Sequence, residues 1–429
     1  MAEPLSIEHV TKVYPGGNAA LRDISIEIPP GDFLVLLGPS GSGKTTLLRC
    51  LAGIEKLTSG RLCIGARVVA DEALHLPPEQ RDLSMVFQDY ALWPHLTARD
   101  NVAFALRRRG LKRQRAREVA DRMLGRVGLG ALGDRFPSAL SGGEQQRVAL
   151  ARALVGETAL VLCDEPLSNL DANLRERMRI EIAALVREAG ATTAYITHDQ
   201  GEAFALADRV GVLEKGRLVQ LGPPEEIYAH PATPFVARFT GLAAEIPVRV
   251  HARVGGSETL VEVSAETRAA VRRIVARLRG REVDRGATLL LRPTAVALTS
   301  CDGADAHLVG RVTDVAFRGR GYEHVVAVEG GIEVTGVFAG ARVARDERVG
   351  LRLQADGCHV FGHANQDDEE DNLLRNHRQR INDGQAGTGG TRSQVHQRAQ
   401  RHGGTGDDPE SAQVGDFAGR GDRGDPRSA

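Results

Sequence analysis

Two kinds of hydrophobic pattern run through the first part of the chain. Residues 5–28 alternate between apolar and polar positions, which predicts half-buried strands. The runs 33–37 and 159–163 are continuously apolar, as expected for strands at the centre of a parallel sheet. Other segments repeat apolar residues at helical spacing, for example Leu174 and Ile182. Strands that alternate with helices predict an α/β fold, whose ligands bind at the carboxyl ends of the parallel strands.

A different pattern follows residue 240. Short strands separated by glycine-rich turns are predicted at 246–254, 260–263, 288–291, 310–317, 324–328, 332–337 and 348–353. Regular short strands predict a small all-β barrel of the OB-like type. The last segment is rich in Gly, Asp, Arg, Gln and His, and it has too few large apolar residues to offset the entropy lost on ordering. We therefore expect an α/β domain (1–240), a β-rich domain (241–363) and a disordered tail (364–429).

A glycine-rich segment lies between the apolar run 33–37 and a helical pattern that begins at Thr46. It fits G-x-x-x-x-G-K-[ST], with Gly38, Pro39, Ser40, Gly41, Ser42, Gly43, Lys44 and Thr45. Glycines let successive backbone N–H groups face a phosphate oxygen, and the helix N-terminus adds positive potential. We expect Lys44 to reach the β- and γ-phosphates and Thr45 to hold Mg²⁺. A chance match in an ordinary turn is the alternative, and the flanking strand and helix argue against it.

Polar side chains follow three other predicted strands of the α/β domain. Asp164 and Glu165 come directly after the run 159–163, where Asp164 could bind Mg²⁺ and Glu165 could polarise an attacking water. Helix capping is the alternative role for this carboxylate pair. His198 could donate a hydrogen bond to a γ-phosphate, although a lone histidine is more often structural. Gln88 could contact Mg²⁺ or the water, or it could be a solvated polar residue.

A second anion-binding pattern begins at Ser141. Ser141, Gly142, Gly143 and Glu144 stand at the start of a predicted helix, so free N–H groups and the helix dipole would face an anion. An ordinary serine-capped helix start is the alternative. Tyr14 lies on a turn upstream of the phosphate loop. It could stack on a nucleotide base or pack on the sheet as a turn residue, and the spacing does not decide between them.

An aromatic-rich loop, residues 90–97, follows Gln88 and contains the only tryptophan of the chain, Trp93. Tyr90, Trp93 and His95 could form a surface that faces a partner protein. The alternative is that Trp93 belongs to the core of the charged helical segment that follows.

Composition narrows the classes of partner. The net charge of the 429-residue chain is −1, so bulk electrostatics do not favour nucleic acid or an anionic membrane surface. The five cysteines form no C-x-x-C pair, which argues against a disulfide framework and a zinc site. We see no signal peptide and no apolar run of about 18 residues. We therefore expect a soluble cytoplasmic protein.

In this order, the elements make residues 1–240 similar to the ATP-binding subunit of an ABC transporter. The matching elements are Tyr14 (base-stacking aromatic), 38–45 (Walker A), Gln88 (Q-loop), 140–145 (signature), 161–165 (Walker B), 168–171 (D-loop) and His198 (switch histidine). Glu144 stands where the shortest signature consensus has glutamine. The resemblance implies a P-loop ATPase domain, made of a RecA-like core and a helical lobe, ahead of the β-barrel.

The resemblance also implies a site shared by two subunits. ATP and Mg²⁺ would lie between the Walker A loop of one subunit and the signature helix of the other in a head-to-tail dimer, which is either a homodimer or a pair with another ATPase subunit. The implied catalytic residues are Lys44, Gln88, Glu165 and His198, and the implied metal ligands are Thr45, Gln88 and Asp164. The implied nucleotide contacts are Tyr14, Gly38, Pro39, Ser40, Gly41, Ser42, Gly43, Lys44, Thr45, Thr46, Ser141, Gly142, Gly143 and Glu144.

Two later segments narrow the subclass. Residues 221–239 and the turn Leu291-Arg292-Pro293 resemble the subunits of maltose, iron(III), polyamine, sulfate and phosphonate importers, which append a TOBE-like regulatory barrel. Such a subunit would be peripheral to the cytoplasmic face of the membrane. Two permease subunits would dock near Tyr90, Trp93 and His95, and an extracytoplasmic solute-binding protein would act indirectly. Iron(III) is the solute we expect first.

Two other functions share the same ATPase motifs. An exporter ATPase is disfavoured by the barrel and by the lack of a fused membrane domain. A non-transport ABC protein of translation or DNA repair would need two ATPase modules in one chain or a long coiled coil, and neither pattern is present.

Overall fold

The computed structural model describes residues 2–168, 170–253, 260–265, 274–279, 287–328 and 330–362. The tail expected at 364–429 lies outside the described residues, as does Asn169 of the D-loop. Within the described ranges no helix is long and apolar enough to span a bilayer.

The described ranges contain both strands and helices up to residue 240, and strands with two short 3₁₀ helices thereafter. The strands are β1 (Leu5–Val13), β2 (Ala19–Ile28), β3 (Phe33–Leu37), β4 (Ser59–Ile64), β5 (Arg67–Ala70), β6 (Leu83–Val86), β7 (Leu160–Asp164), β8 (Thr192–Thr197), β9 (Arg209–Glu214), β10 (Arg217–Gly222), β11 (Ala244–Arg253), β12 (Leu260–Ala265), β13 (Ile274–Arg279), β14 (Ala287–Leu291), β15 (Val296–Thr299), β16 (Leu308–Phe317), β17 (Tyr322–Val328), β18 (Ile332–Ala339), β19 (Arg348–Leu353) and β20 (Cys358–Gly362). The helices are α1 (Lys44–Ala52), α2 (Ala98–Arg108), α3 (Arg113–Arg126), α4 (Gly142–Leu154), α5 (Ala172–Ala189), α6 (Gln200–Leu206), α7 (Pro224–Ala229) and α8 (Pro234–Phe239).

A six-stranded sheet of order β10-β9-β3-β8-β7-β6 forms the centre of the first part. Its strands β9, β3, β8, β7 and β6 run parallel, and β10 pairs antiparallel at one edge. All five residues of β3 are buried, because the sheet is covered on both faces. The predicted α/β fold is therefore confirmed, and the carboxyl ends of β3, β6, β7 and β8 meet at one edge.

Two hydrophobic cores cover this sheet. On one face, the antiparallel sheet β2-β1-β4-β5 and helix α1 form a core with strand residues such as Leu34 and Leu36. On the other face, helices α2, α3, α4 and α5 pack together around residues such as Val148 and Met178. The second core contains the helical lobe, to which α4 belongs.

The β-rich part is larger than the single barrel predicted from the sequence. Strands β11-β12-β13-β20-β14 close into a barrel, which confirms the predicted all-β barrel, and β15-β19-β16-β17-β18 form a separate five-stranded sheet. The hydrophobic pattern of the sequence did not predict β13, β15 and β20. Strand β20 pairs parallel with β13 and antiparallel with β14, so it exists only through pairing with segments about 70 to 80 residues earlier.

Arg292 joins the β-rich part to the end of the α/β part. Its side chain is 1% exposed, and its guanidinium donates hydrogen bonds to the carbonyls of Tyr228, Ala237 and Gly241 and to the Thr240 hydroxyl. It also stacks on the Tyr228 ring, with the guanidinium carbon 4.3 Å from the ring centroid. Burial lowers the pKa of Arg292 to about 10, so the group remains charged at neutral pH.

Candidate active site

The phosphate loop is shaped by close backbone contacts that only glycine allows. A Cβ at Gly38 would lie 2.4 Å from the Leu213 carbonyl oxygen. Gly43 has φ 103° and precedes α1, and a Cβ there would lie 2.5 Å from the Ala20 carbonyl oxygen. By contrast, a Cβ at Gly41 would meet open space. The loop is therefore packed against β2 and β9 on one side and open on the other, as a cradle for an anion requires.

A cavity of 520 Å³ opens over this loop. Its lining includes the predicted residues Tyr14, Ser40, Gly41, Ser42, Gly43, Lys44, Thr45, Thr46 and Glu165. It also includes residues that the sequence did not indicate, namely Asn18, Ala19, Ala20, Arg22, Lys215 and Gly216. The Gly216 N–H donates to the Ser42 carbonyl over 3.0 Å, so the turn between β9 and β10 forms one wall of the cavity. No local signal could have placed that distant turn there.

The Lys44 ammonium lies inside the curve of the loop. Its Nζ is 2.7 Å from the Gly38 carbonyl oxygen and 2.9 Å from that of Pro39, and the residue is 5% exposed. Burial lowers the pKa of Lys44, whereas the Glu165 and Asp164 carboxylates raise it. The cation is therefore near both the phosphate cradle and the carboxylates at the end of β7.

The carboxylates at the end of β7 meet the predicted switch histidine. Glu165 has φ 43°, its N–H donates to the Ile196 carbonyl, and its Oε2 is 3.0 Å from Nδ1 of His198. Burial raises the pKa of Asp164, and the neighbouring Glu165 raises it further. Parallel pairing of β7 with β8 brings Glu165 and His198 together from 33 residues apart. This pair is suited to holding and orienting a water.

The proposed metal ligands offer oxygen atoms, as Mg²⁺ prefers. Thr45 lines the cavity, Asp164 ends β7, and Gln88 is exposed two residues after β6. A bound cation would relieve the electrostatic cost that raises the pKa of Asp164. Among the described residues, no cluster of three or more His, Cys, Asp or Glu side chains could hold a metal ion. A hydroxyl, a carboxylate and an amide form a donor set that fits Mg²⁺ with nucleotide phosphates and water as its remaining ligands.

Tyr14 is half-buried at the cavity, and the Lys12 ammonium lies 4.8 Å from the centroid of its ring. The ring is therefore at the place where a nucleotide base could stack. The contact with Lys12 also ties Tyr14 to strand β1.

The signature residues do not line this cavity. Ser141 caps α4 with Glu144, whose Oε2 accepts from the Ser141 N–H over 2.7 Å and from its hydroxyl over 2.9 Å. These hydrogen bonds lower the pKa of Glu144. A Cβ at Gly143 would lie 2.8 Å from the Leu174 side chain, so this glycine lets α4 approach α5. Within one chain, the signature thus forms a serine-capped helix start.

Hydrogen bonds from a buried side chain of α2 hold the aromatic loop in place. The Asn101 side chain is fully buried, and its amide donates to the carbonyls of Trp93, Leu96 and Thr97. Trp93 is half-buried against Phe104, with ring centroids 4.3 Å apart, and His95 is exposed. Trp93 is therefore neither fully in the core nor fully on the surface.

Two family models match the chain. The ABC transporter model matches residues 21–168, and the TOBE domain model matches residues 289–361.

Several proteins are similar to this chain over most of their length. The chain is 46% identical over 325 residues to a protein of Agrobacterium fabrum named Fe(3+) ions import ATP-binding protein FbpC, covering 76% of this chain and 88% of the relative. It is 43% identical over 326 residues to the Spermidine/putrescine import ATP-binding protein PotA of Acidothermus cellulolyticus, covering 75% and 83%. A solved dimeric ATP-binding cassette bound to ADP and Pi matches with a TM-score of 0.46 and 31% identity, covering 51% of this chain and 98% of that one.

Proposed function

The chain belongs to the ATP-binding subunits of ABC importers, and from that premise we propose that it drives ferric iron uptake as a head-to-tail homodimer. It is an ATPase. The single observation that carries the proposed mechanism is the cavity over residues 40–46, whose lining includes Glu165, with His198 in contact with Glu165.

The proposed chemistry assigns one task to each group around this cavity. The backbone of the phosphate loop and Lys44 bind the β- and γ-phosphates, and Tyr14 stacks on the base. Glu165 polarises the attacking water, and His198 holds Glu165 while sensing the γ-phosphate. Mg²⁺ would be held by Thr45, Gln88 and Asp164, where it would neutralise charge on the phosphates.

The placement of the signature supports a head-to-tail dimer. Ser141 and Gly142 begin α4, which belongs to the helical lobe, and they do not line the cavity of their own chain. The helix start could serve the γ-phosphate of a nucleotide bound by a second copy, once the Ser141 N–H and hydroxyl are released from Glu144. In that complex the phosphate would compete with Glu144 for the Ser141 hydroxyl, so closure would rearrange the capping hydrogen bonds.

The same chain would act at the cytoplasmic face of the membrane, docked on two permease subunits. An extracytoplasmic solute-binding protein would deliver the solute and would affect this chain only through the permease. Nucleic acid has no part in this proposal. The proposed docking surface is the loop from Tyr90 to Thr97, where the exposed His95 lies beside the half-buried Trp93.

We expect Trp93→Ala and His95→Ala each to weaken co-purification with the permease subunits. A docking anchor of this kind contributes ~2 kcal/mol, so the affinity should fall by about 30-fold for Trp93→Ala. His95 is exposed, so His95→Ala should leave the thermal midpoint unchanged. Ile54→Ala, at a side chain that is 51% exposed and lies outside this loop, is the matched control and should assemble normally. Normal assembly of both loop variants would move the docking surface elsewhere.

The solute proposal rests on relatives named for Fe(3+) import, and the relative named for spermidine and putrescine provides the alternative. We expect deletion of the gene to lower uptake of radiolabelled ferric iron and to leave spermidine uptake unchanged. The parental gene should restore uptake, whereas a Glu165→Gln copy should not. The reverse pattern, with spermidine uptake lost, would assign the polyamine instead.

A further inference from the structure

The turn that follows Gln88 has an unusual backbone. Tyr90 and Ala91 both have positive φ, 63° and 44°, although neither is glycine. Two consecutive left-handed residues without glycine are rare, because the Cβ approaches the backbone in that conformation. The Tyr90 hydroxyl does not stabilise the turn, since it is buried without a hydrogen-bond partner among the described residues. Another group must hold the turn in this conformation.

That group is Arg152 of helix α4. Its Nη1 donates to the Ala91 carbonyl over 2.6 Å, and its Nη2 donates to the Tyr90 carbonyl over 2.8 Å. Its guanidinium carbon also lies 5.0 Å from the centroid of the Trp93 ring. Burial lowers the pKa of Arg152, and the Asp89 carboxylate opposes this effect. One side chain thus contacts three of the first four residues of the aromatic loop.

Helix α4 connects this contact to the signature. It begins at Gly142, directly after the Ser141 cap, and its 13 residues form a rod about 20 Å long. Arg152 lies in its last turn. A tilt or shift of the Ser141 end therefore displaces the guanidinium at the other end, because a helix is stiff over this length.

We propose that Arg152 is a positioning residue that makes α4 and the turn Tyr90–Ala91 move together. Engagement of Ser141 by a nucleotide then reaches Trp93 through the helix rather than through Gln88 alone. The forked guanidinium is needed, since a lysine ammonium can hold one of these carbonyls but lacks the planar pair of donors that fits both. This inference rests on the head-to-tail dimer proposed above.

The test uses the single tryptophan of the full chain as a reporter. In a Glu165→Gln background, addition of Mg·ATP should change the emission of Trp93 and slow amide hydrogen exchange in residues 87–97. Adding Arg152→Lys should leave the ATP affinity and the ATP-dependent dimer unchanged. It should reduce the ATP-induced protection of residues 87–97 by about tenfold, as expected when one hydrogen bond to a charged group is lost.

Arg109→Lys is the matched control. Arg109 donates to the Gly156 carbonyl, just beyond the end of the same helix, and pairs with Asp82, so it makes similar contacts without touching the turn. It should keep the full response of Trp93. An Arg152→Lys variant that dimerises and keeps the full response would overturn the proposal.

Hydrogen exchange in the chain with Arg152 intact provides a second test that needs no substitution at this position. Residues 87–97 and 142–154 should gain protection together at the same ATP concentration. Protection of 142–154 alone would also overturn the proposal. Failure of the Glu165→Gln chain to dimerise with ATP would instead contradict the proposed dimer. Protection of both segments within such a monomer would show that α4 and the turn move together without engagement of Ser141, and it would overturn that part of the proposal.

Discussion

Replacement of Glu165 with glutamine should lower kcat for ATP hydrolysis by about 100-fold or more, with ATP binding retained. Glutamine keeps the shape of the side chain but cannot polarise a water as a base. Glu165 lines the cavity beside residues 40–46, and its carboxylate lies 3.0 Å from His198, so it faces the place where the γ-phosphate would lie. Steady-state phosphate release and equilibrium ATP binding measure the two parts of this expectation.

A second expected result concerns the complex with bound ATP. Glu165→Gln leaves the phosphate loop and Lys44 in place, so ATP should stay bound without being hydrolysed. An ATP-dependent dimer should therefore persist and accumulate. Glu27→Gln, at an exposed position of β2, is the matched control and should hydrolyse ATP at the parental rate. Parental hydrolysis by Glu165→Gln would remove Glu165 from the mechanism.

Replacement of Arg292 with methionine should lower the free energy of unfolding by ~3 kcal/mol, because it leaves several buried acceptors without donors. Methionine retains most of the apolar stem, so the loss reports the hydrogen bonds of the guanidinium together with its stacking on Tyr228. The orphaned acceptors would be the carbonyls of Tyr228, Ala237 and Gly241, which lie at the end of the ATPase part. The thermal midpoint should fall, and limited proteolysis near residues 228–243 should become faster.

Arg277→Met is the control for this prediction. Arg277 pairs with Asp356 at the surface of the barrel, where the two side chains are 33% and 87% exposed. An exposed ion pair contributes little, so the change in stability should stay within about 0.5 kcal/mol. Equal stabilities of the Arg292→Met and Arg277→Met variants would show that the buried guanidinium does not stabilise the contact between Arg292 and residues 228–241.

Local sequence was sufficient to predict the features that depend only on neighbouring residues. The run 38–45 predicts its own loop, because a Cβ would meet a backbone carbonyl oxygen at both Gly38 and Gly43, and Gly43 also has a positive φ. The buried runs that become β3 and β7 predict a parallel sheet, and a parallel sheet places Asp164 and Glu165 at the edge that binds ligands. The predicted α/β fold is confirmed for these reasons, and the predicted β-barrel is confirmed as well.

Some sequence predictions remain predictions, because they concern contacts with a second copy of the chain or with other proteins. The roles of Ser141 and Gly142 need a second copy, and the roles of Tyr90, Trp93 and His95 need permease subunits. For Trp93 the sequence left two alternatives, core or partner surface. The half-buried position against Phe104 shows that one side of the ring packs in the lobe, which leaves part of it for a partner.

By itself, the sequence determined the phosphate loop, the order of the ATPase elements and the change to β structure after residue 240. Only the tertiary structure decided that Arg22 and Lys215 line the cavity, that β20 closes the barrel, and that Arg152 holds the turn at Tyr90 and Ala91. Each of these features joins segments far apart in the chain. Local patterns report the conformation of neighbouring residues, whereas such contacts depend on how strands pair and helices pack, so they become visible only once the chain is folded.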